Sequence, residues 1–187
     1  EKLMEKMQEC GAFGDDSFSL TANTGSSEWK WFDGDLNKYY NKLEQGHKNR
    51  DPNNLPSIAV HRWLGKKRST LEHYHLLHQS ISKFFPDTNS QLRVFDAGCG
   101  LGSALSWFEQ KQPTWKLLGH TISEEQHKFI NERLPKHNFQ VKLKSYDDLN
   151  TDVDCIYSIE ALIHTLDLSA TLKVWSTHLK DGGIIAI

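Results

Sequence analysis

Cysteine is scarce in this chain of 187 residues. Its three cysteines, Cys10, Cys99 and Cys155, form neither a C-x-x-C pair nor a disulfide framework. An odd, scattered set fits a reducing compartment, so a cytoplasmic location is expected. Positive charge is not concentrated either: the net charge is −2 and there is no basic block, which argues against a nucleic-acid partner. No apolar run is long enough to span a bilayer. Hydrophobic residues make up 37%, below the globular norm, so a polar or extended portion is expected beside the core. The length suits one domain with a small appendage. There is no internal repeat. The first residue is Glu1 rather than Met, which leaves the natural start and any targeting segment open.

What is present is concentrated at Val94–Gly102, V-F-D-A-G-C-G-L-G. Val94 and Phe95 suit a buried parallel strand, and Asp96 is expected to end it at the sheet's carboxyl edge, where open α/β sheets bind ligands. Gly98, Gly100 and Gly102 allow a tight turn and a close approach that any Cβ would prevent. The helix that follows, from Ser103 through Phe108, offers unpaired amides and a positive dipole end. A Gly-rich turn without a ligand is the bland alternative.

The kind of ligand follows from what the loop omits. A phosphate-cradling loop needs G-x-x-x-x-G-K-[ST], and no Lys-Ser or Lys-Thr follows these glycines. The spacing D-x-G-x-G-x-G also departs from the dinucleotide fingerprint G-x-G-x-x-G. An acidic residue ahead of the glycines repels a pyrophosphate and attracts a cationic group. S-adenosylmethionine (SAM) carries an ammonium and a sulfonium and no phosphate. In this strand-to-helix setting the pattern resembles motif I of the class I SAM-dependent methyltransferases, and the cofactor implied is SAM.

Along the chain, residues 1–9 read as a short charged helix and 11–27 as a small-residue linker. An aromatic stretch follows, with Trp29, Trp31, Phe32, Tyr39 and Tyr40. Leu71, Tyr74, Leu77, Ile81 and Phe84 predict a helix over 69–85. Strands are expected at 92–96, 116–120, 139–144, 153–158 and 183–187, and helices at 102–111, 123–134 and 168–179. Ser123 before Glu124-Glu125-Gln126 reads as a helix cap. The alternation implies a Rossmann-like, doubly wound, mostly parallel α/β sheet over residues 69–187, preceded by an N-terminal extension at 1–68.

Three further segments extend the resemblance. Leu118–Gln126, L-G-H-T-I-S-E-E-Q, is similar to the G-x-T-x-S-x-x-Q signature of the cyclopropane-fatty-acid-synthase-like branch, in which the Thr, the residue after it and the Gln contact the cofactor. The resemblance carries that role to Thr121, Ile122 and Gln126. Within the glycine loop it marks Asp96, Gly98, Cys99, Gly100 and Gly102. After the third strand, Tyr146 and Asp147 match an aromatic–acidic pair that packs on adenine and accepts its amine; a flat apolar contact and one acceptor are what that base needs. The fourth strand leads into S-x-E-x-x-x-H, similar to small-molecule methyltransferases. The resemblance implies that Ile159 lines the adenine pocket and that Glu160 and His164 face the methyl acceptor. A histidine suits a general base at neutral pH, although a packing role for His164 stays open.

The resemblance covers about residues 75–187 and has departures. Cyclopropane synthases carry a Glu directly before this His, where the present chain has Ile163, so methyl transfer is favoured over cyclopropanation. Class I methyltransferases continue beyond a fifth strand, whereas this sequence stops at Ile187 inside it. A truncated core, or a sheet edge completed by a homo- or hetero-oligomeric partner, is therefore expected. The function implied is methyl transfer from SAM to a small-molecule or lipid-like acceptor. The alternative is a catalytically silent methyltransferase-like subunit of a larger assembly. The aromatic stretch reads equally as a lid or a docking element. His73, His75 and His78 splay around a helix by about 100° per residue, so no metal site is expected and a solvated helix surface is the default reading.

Overall fold

The computed structural model describes residues 38, 40–41, 50–54, 69–86, 91–134 and 136–187. The expectations for 1–9, for 11–27 and for Trp29, Trp31, Phe32 and Tyr39 lie outside these residues. The described residues belong to a unit spanning Asp35–Ile187.

The order of elements is α1 (Thr70–Ser82), β1 (Arg93–Ala97), α2 (Ser103–Lys111), β2 (Lys116–Thr121), α3 (Glu124–Arg133), β3 (Gln140–Leu143), β4 (Val153–Tyr157), α4 (Leu168–His178) and β5 (Leu179–Ala186). Single 3₁₀ turns lie at Tyr146–Asp148 and Leu162–His164. All five strands pair in parallel, in the order β3-β2-β1-β4-β5. The doubly wound α/β sheet expected from the alternation is therefore present. Between β1 and β4 the winding reverses, which is where such sheets open a crevice.

Burial on both faces explains the apolar strands. Val94, Cys155 and Tyr157 join Leu105, Phe108, Phe129 and Ile130 in the layer beneath α1, α2 and α3. Phe95, Leu118 and Ile156 point the other way, onto Leu149 and Trp175 of α4. Local chemistry sets the helix starts. Ser123 accepts from the Gln126 amide, as its position predicted, and Asp167 accepts from the Ala170 amide at the head of α4. Ser69 and Glu72 form a reciprocal capping box on α1. Among the described residues, no helix is long and apolar enough to cross a membrane.

Three expectations need correction. β1 continues through Ala97, so Asp96 lies inside the strand and is buried rather than ending it at the rim. β5 begins at Leu179, not at 183. Val153 pairs with Leu179 but Cys155 pairs with Ile184, so the β5 side carries surplus residues, and Gly182 at φ +74° absorbs them as a bulge. The histidines of α1 are not a solvated surface: His78 is buried edge-on against Tyr74 and Trp107, and His75 accepts the Trp107 indole N–H at 2.9 Å. Packing of α1 on α2, with the Tyr74 hydroxyl donating to the Ser103 carbonyl at 2.8 Å, turns that side inward. No metal-holding cluster occurs among the described residues.

Candidate cofactor and methyl-transfer site

The carboxyl ends of β1, β2 and β4 bring most of the sequence-predicted residues to one edge of the sheet. A shallow, solvent-open cleft is lined by Asp96, Gly98, Cys99, Gly100, Leu101, Ser103, Ala104 and Ile159, and by Leu77 and His78 from α1. The last two were not singled out as site residues in the sequence. Leu77 was marked only by helical spacing, which reads as core packing whether or not a ligand lies beyond, and His78 was read as part of a solvated helix surface.

The loop's three glycines do different work. Gly98, Gly100 and Gly102 all have positive φ, at +89°, +53° and +77°. A Cβ on Gly98 would stand 2.5 Å from that of Ala161, so this glycine lets the segment after β4 close on the loop. A Cβ on Gly102 would make only ordinary contact with Ile130 and Leu134 at 3.4–3.5 Å, so its φ of +77°, not crowding, is what favours glycine at the head of α2. Gly100 has nothing within 4 Å of its Cβ position and is the open one. Two loop amides are spent internally: Cys99 N–H donates to the His120 carbonyl and Gly102 N–H to the Cys99 carbonyl, both at 2.9 Å.

Asp96 is buried with its carboxylate accepting the Tyr157 hydroxyl at 2.8 Å. Burial pushes its carboxyl up to about 7, against a smaller opposing effect of that hydrogen bond. Cys99 is buried too, and burial, followed by the nearby Asp96 charge, holds its thiol well above the usual range. It is a neutral packing group and not a nucleophile.

Around the second strand, the Thr121 hydroxyl donates to Gln126 Oε1 at 2.7 Å and accepts from the Ser123 amide at 3.1 Å. Both side chains are buried, so they brace this loop, while Ile122 between them is half-buried. The Ser123 hydroxyl and the Glu125 amide both donate to Asn41 Oδ1, at 2.8 and 3.3 Å. Asn41 thus ties the N-terminal segment to the head of α3, a role absent from the sequence reading.

Tyr146 is half-buried, with Cδ1 4.0 Å from the Cβ position of Gly98. Asp147 is exposed and accepts from the Thr171 and Ser145 hydroxyls. After β4, Glu160 takes φ +54°, strained for a non-glycine residue. His164 sits in the following 3₁₀ turn with Nε2 2.6 Å from the Tyr40 hydroxyl, and the two rings meet edge to face. Burial pulls the His164 imidazole below its ordinary range. Tyr40 is the member of the aromatic stretch that the described residues place at the site.

A parallel sheet of order 3-2-1-4-5, with a glycine loop and an acidic residue at its switch point, is a doubly wound α/β fold with a crevice at its carboxyl edge. The family model for a methyltransferase domain matches residues 95–185. The chain is 34% identical over 98 residues to the cyclopropane-fatty-acyl-phospholipid synthase of Escherichia coli K12, a stretch covering 51% of this chain and 25% of that enzyme. It is 30% identical over 96 residues to trans-aconitate 2-methyltransferase of Variovorax paradoxus S110, covering 51% of this chain and 37% of that one. The matched stretch thus spans between a quarter and two-fifths of these relatives. In fold, the chain is similar to the [4+2]-cyclase SpnF, with a TM-score of 0.66 and 17% identity over 81% of this chain and 58% of that one. It is similar also to geranyl diphosphate C-methyltransferase of Streptomyces coelicolor A3(2), with a TM-score of 0.62 and 16% identity over 81% and 62%. Through residues 95–185 the chain is thus similar to methyltransferase domains, and over about half its length to a cyclopropane-fatty-acyl-phospholipid synthase and a small-molecule methyltransferase.

Proposed function

We propose that this chain binds SAM in the cleft at Gly98–Gly102 and transfers its methyl group to a small-molecule or lipid-like acceptor. The observation that carries the reading is the open face of Gly100 in a cleft that also holds the buried carboxyl of Asp96, at the β1/β4 switch point. These residues suit the cofactor. Asp96 offers an acceptor to an ammonium group, Gly100 lets backbone and ligand meet, and Ile159 and Tyr146 offer apolar surface to a purine. Ile122 serves the same end at the β2 loop, with Thr121 and Gln126 holding that loop's shape. Asp147 fits the adenine amine by its position beside Tyr146.

SAM, when bound, supplies an electrophilic methyl group, so the protein's main task is to align an acceptor with it. Glu160 and His164 stand on the segment after β4 that closes over Gly98, and we assign them to the acceptor side. A neutral His164 seated on the Tyr40 hydroxyl can take up a proton that the acceptor releases, directly or through that hydroxyl.

The test is isothermal titration with SAM and with S-adenosylhomocysteine, alongside thermal unfolding. Both ligands are expected to bind, and saturation at a hundred times Kd stabilises by about 2.7 kcal/mol, or roughly 5–10 °C. No heat and no thermal shift from either ligand would end the claim.

A further inference from the structure

We infer that Tyr157 is a positioning residue for the cofactor: its hydroxyl, donated to the buried Asp96 carboxylate, holds that group aimed into the cleft and ionised when SAM binds. The inference rests on the reading of the cleft as a SAM site.

The geometry isolates this pair. Asp96 and Tyr157 are register partners on adjacent parallel strands, and the distance between hydroxyl and Oδ2 is 2.8 Å. On its other side Asp96 pairs with Gly119, which has no side chain to offer. Both residues are buried, Tyr157 wholly and Asp96 at 4% exposure. The Tyr157 ring is fixed by Phe85 and Phe108, with centroids at 6.2 and 5.2 Å, so its hydroxyl cannot swing away cheaply. The other titratable groups facing this pair are the Cys99 thiol from the loop, the Tyr74 phenol from α1, and His78 of α1, which lines the same cleft as Asp96. Burial holds the thiol and both phenols well above their usual ranges, so they stay neutral. No lysine or arginine lines the cleft among the described residues. Tyr157 therefore supplies the hydrogen bond that favours the charged carboxylate, and burial opposes it.

The two sides of this balance meet near neutrality, with Asp96 pushed up to about 7. An ammonium group binds the carboxylate and not the carboxylic acid, so SAM affinity should rise as pH passes upward through that region. Removing the hydroxyl leaves a buried carboxylate without its donor and moves the midpoint higher, by about one pH unit.

The experiment is SAM titration of the full chain between pH 5.5 and 9, for wild type, Tyr157→Phe and Asp96→Asn. In parallel, the Asp96 carboxyl ¹³C resonance is titrated in the ligand-free wild-type and Tyr157→Phe proteins. Wild type is expected to gain affinity across a midpoint near 7. In Tyr157→Phe both midpoints move up, SAM binding at pH 7 weakens about five-fold to ten-fold relative to wild type, and that ratio shrinks towards one by pH 9, the ligand's own ammonium titrating equally in both. Asp96→Asn binds weakly with no midpoint in this range. A carboxyl resonance that titrates identically in wild type and Tyr157→Phe overturns the inference, as does SAM affinity lowered equally at every pH, which marks a merely structural role. If Tyr157→Phe fails to fold, 3-fluorotyrosine at position 157 replaces it: as a stronger donor it should lower the Asp96 carboxyl midpoint, and an unchanged midpoint overturns the inference. If wild type binds no SAM at any pH, the site reading itself falls and this inference falls with it.

Discussion

At the scale of single residues, the loop's glycines separate folding from binding. Ala at Gly98 would place its Cβ 2.5 Å from that of Ala161 at φ +89°, so the segment after β4 must shift. We expect Gly98→Ala to lose about 2–3 kcal/mol, a fall in Tm of roughly 5–10 °C. Gly100→Ala meets nothing within 4 Å and has φ +53°, a left-handed value that costs an L-residue about 1–2 kcal/mol. Its methyl group stands in the cleft, so SAM affinity should fall at least about ten-fold while Tm drops by roughly 2–8 °C. Calorimetry and thermal unfolding on the two variants check the contrast; wild-type SAM affinity in Gly100→Ala would show that the ligand sits elsewhere. The alternating glycines were legible as a tight loop between a strand and a helix. That Gly98 serves chain packing was not, because its neighbour Ala161 lies far along the sequence. Thr121 and Gln126 show the same limit, since residue type and spacing marked the loop but not that the two side chains spend their hydrogen bonds on each other.

At the scale of elements, hydrophobic period located α1 but misplaced its inner face. Leu71 and Phe84, counted as apolar-face residues, are 50% and 67% exposed, while His78 goes inside. A histidine reads as polar until an aromatic neighbour such as Trp107 is known to pack against it. This helix carries Leu77 and His78 to the cleft, and its start depends on the Ser69–Glu72 capping box. Ser69→Ala leaves the Glu72 amide without its acceptor and should cost about 1 kcal/mol, a 2–4 °C fall in Tm. Ser69→Asp, which keeps an acceptor at that position, should recover most of it. A Ser69→Ala protein as stable as wild type would show that tertiary packing alone sets the start of α1. The strands of β1 to β4 were legible within one residue at each end, since parallel strands buried on both faces are short apolar runs. β5 was shortened because Asp181-Gly182-Gly183 has the composition of a turn, and it is a bulge only by virtue of its partner β4.

At the scale of the whole molecule, what the sequence could not state is which strands are neighbours. Alternation implies parallel pairing, but the placement of β1 between β2 and β4 is a property of the winding. That placement creates both the Asp96–Tyr157 contact and the crevice above Gly100. It also sets a gradient of stability. β2, β1 and β4 are hydrogen-bonded on both sides, whereas β3 and β5 are, among the described residues, the two edges of the sheet. Opening an interior strand disrupts both ladders and the apolar layers on both faces, so it requires near-global unfolding, while an edge strand can detach alone. Native-state hydrogen exchange should therefore be slowest at Val94–Ala97 and Cys155–Tyr157, and faster by at least about ten-fold at Val141–Leu143. Saturating SAM should slow exchange through the glycine loop and the Thr121–Gln126 loop, and leave the β3 edge close to its ligand-free rate. Equal protection of β3 and β1, or ligand protection spread evenly over the sheet, would contradict a scaffold that is rigid at its centre and responsive along its carboxyl edge.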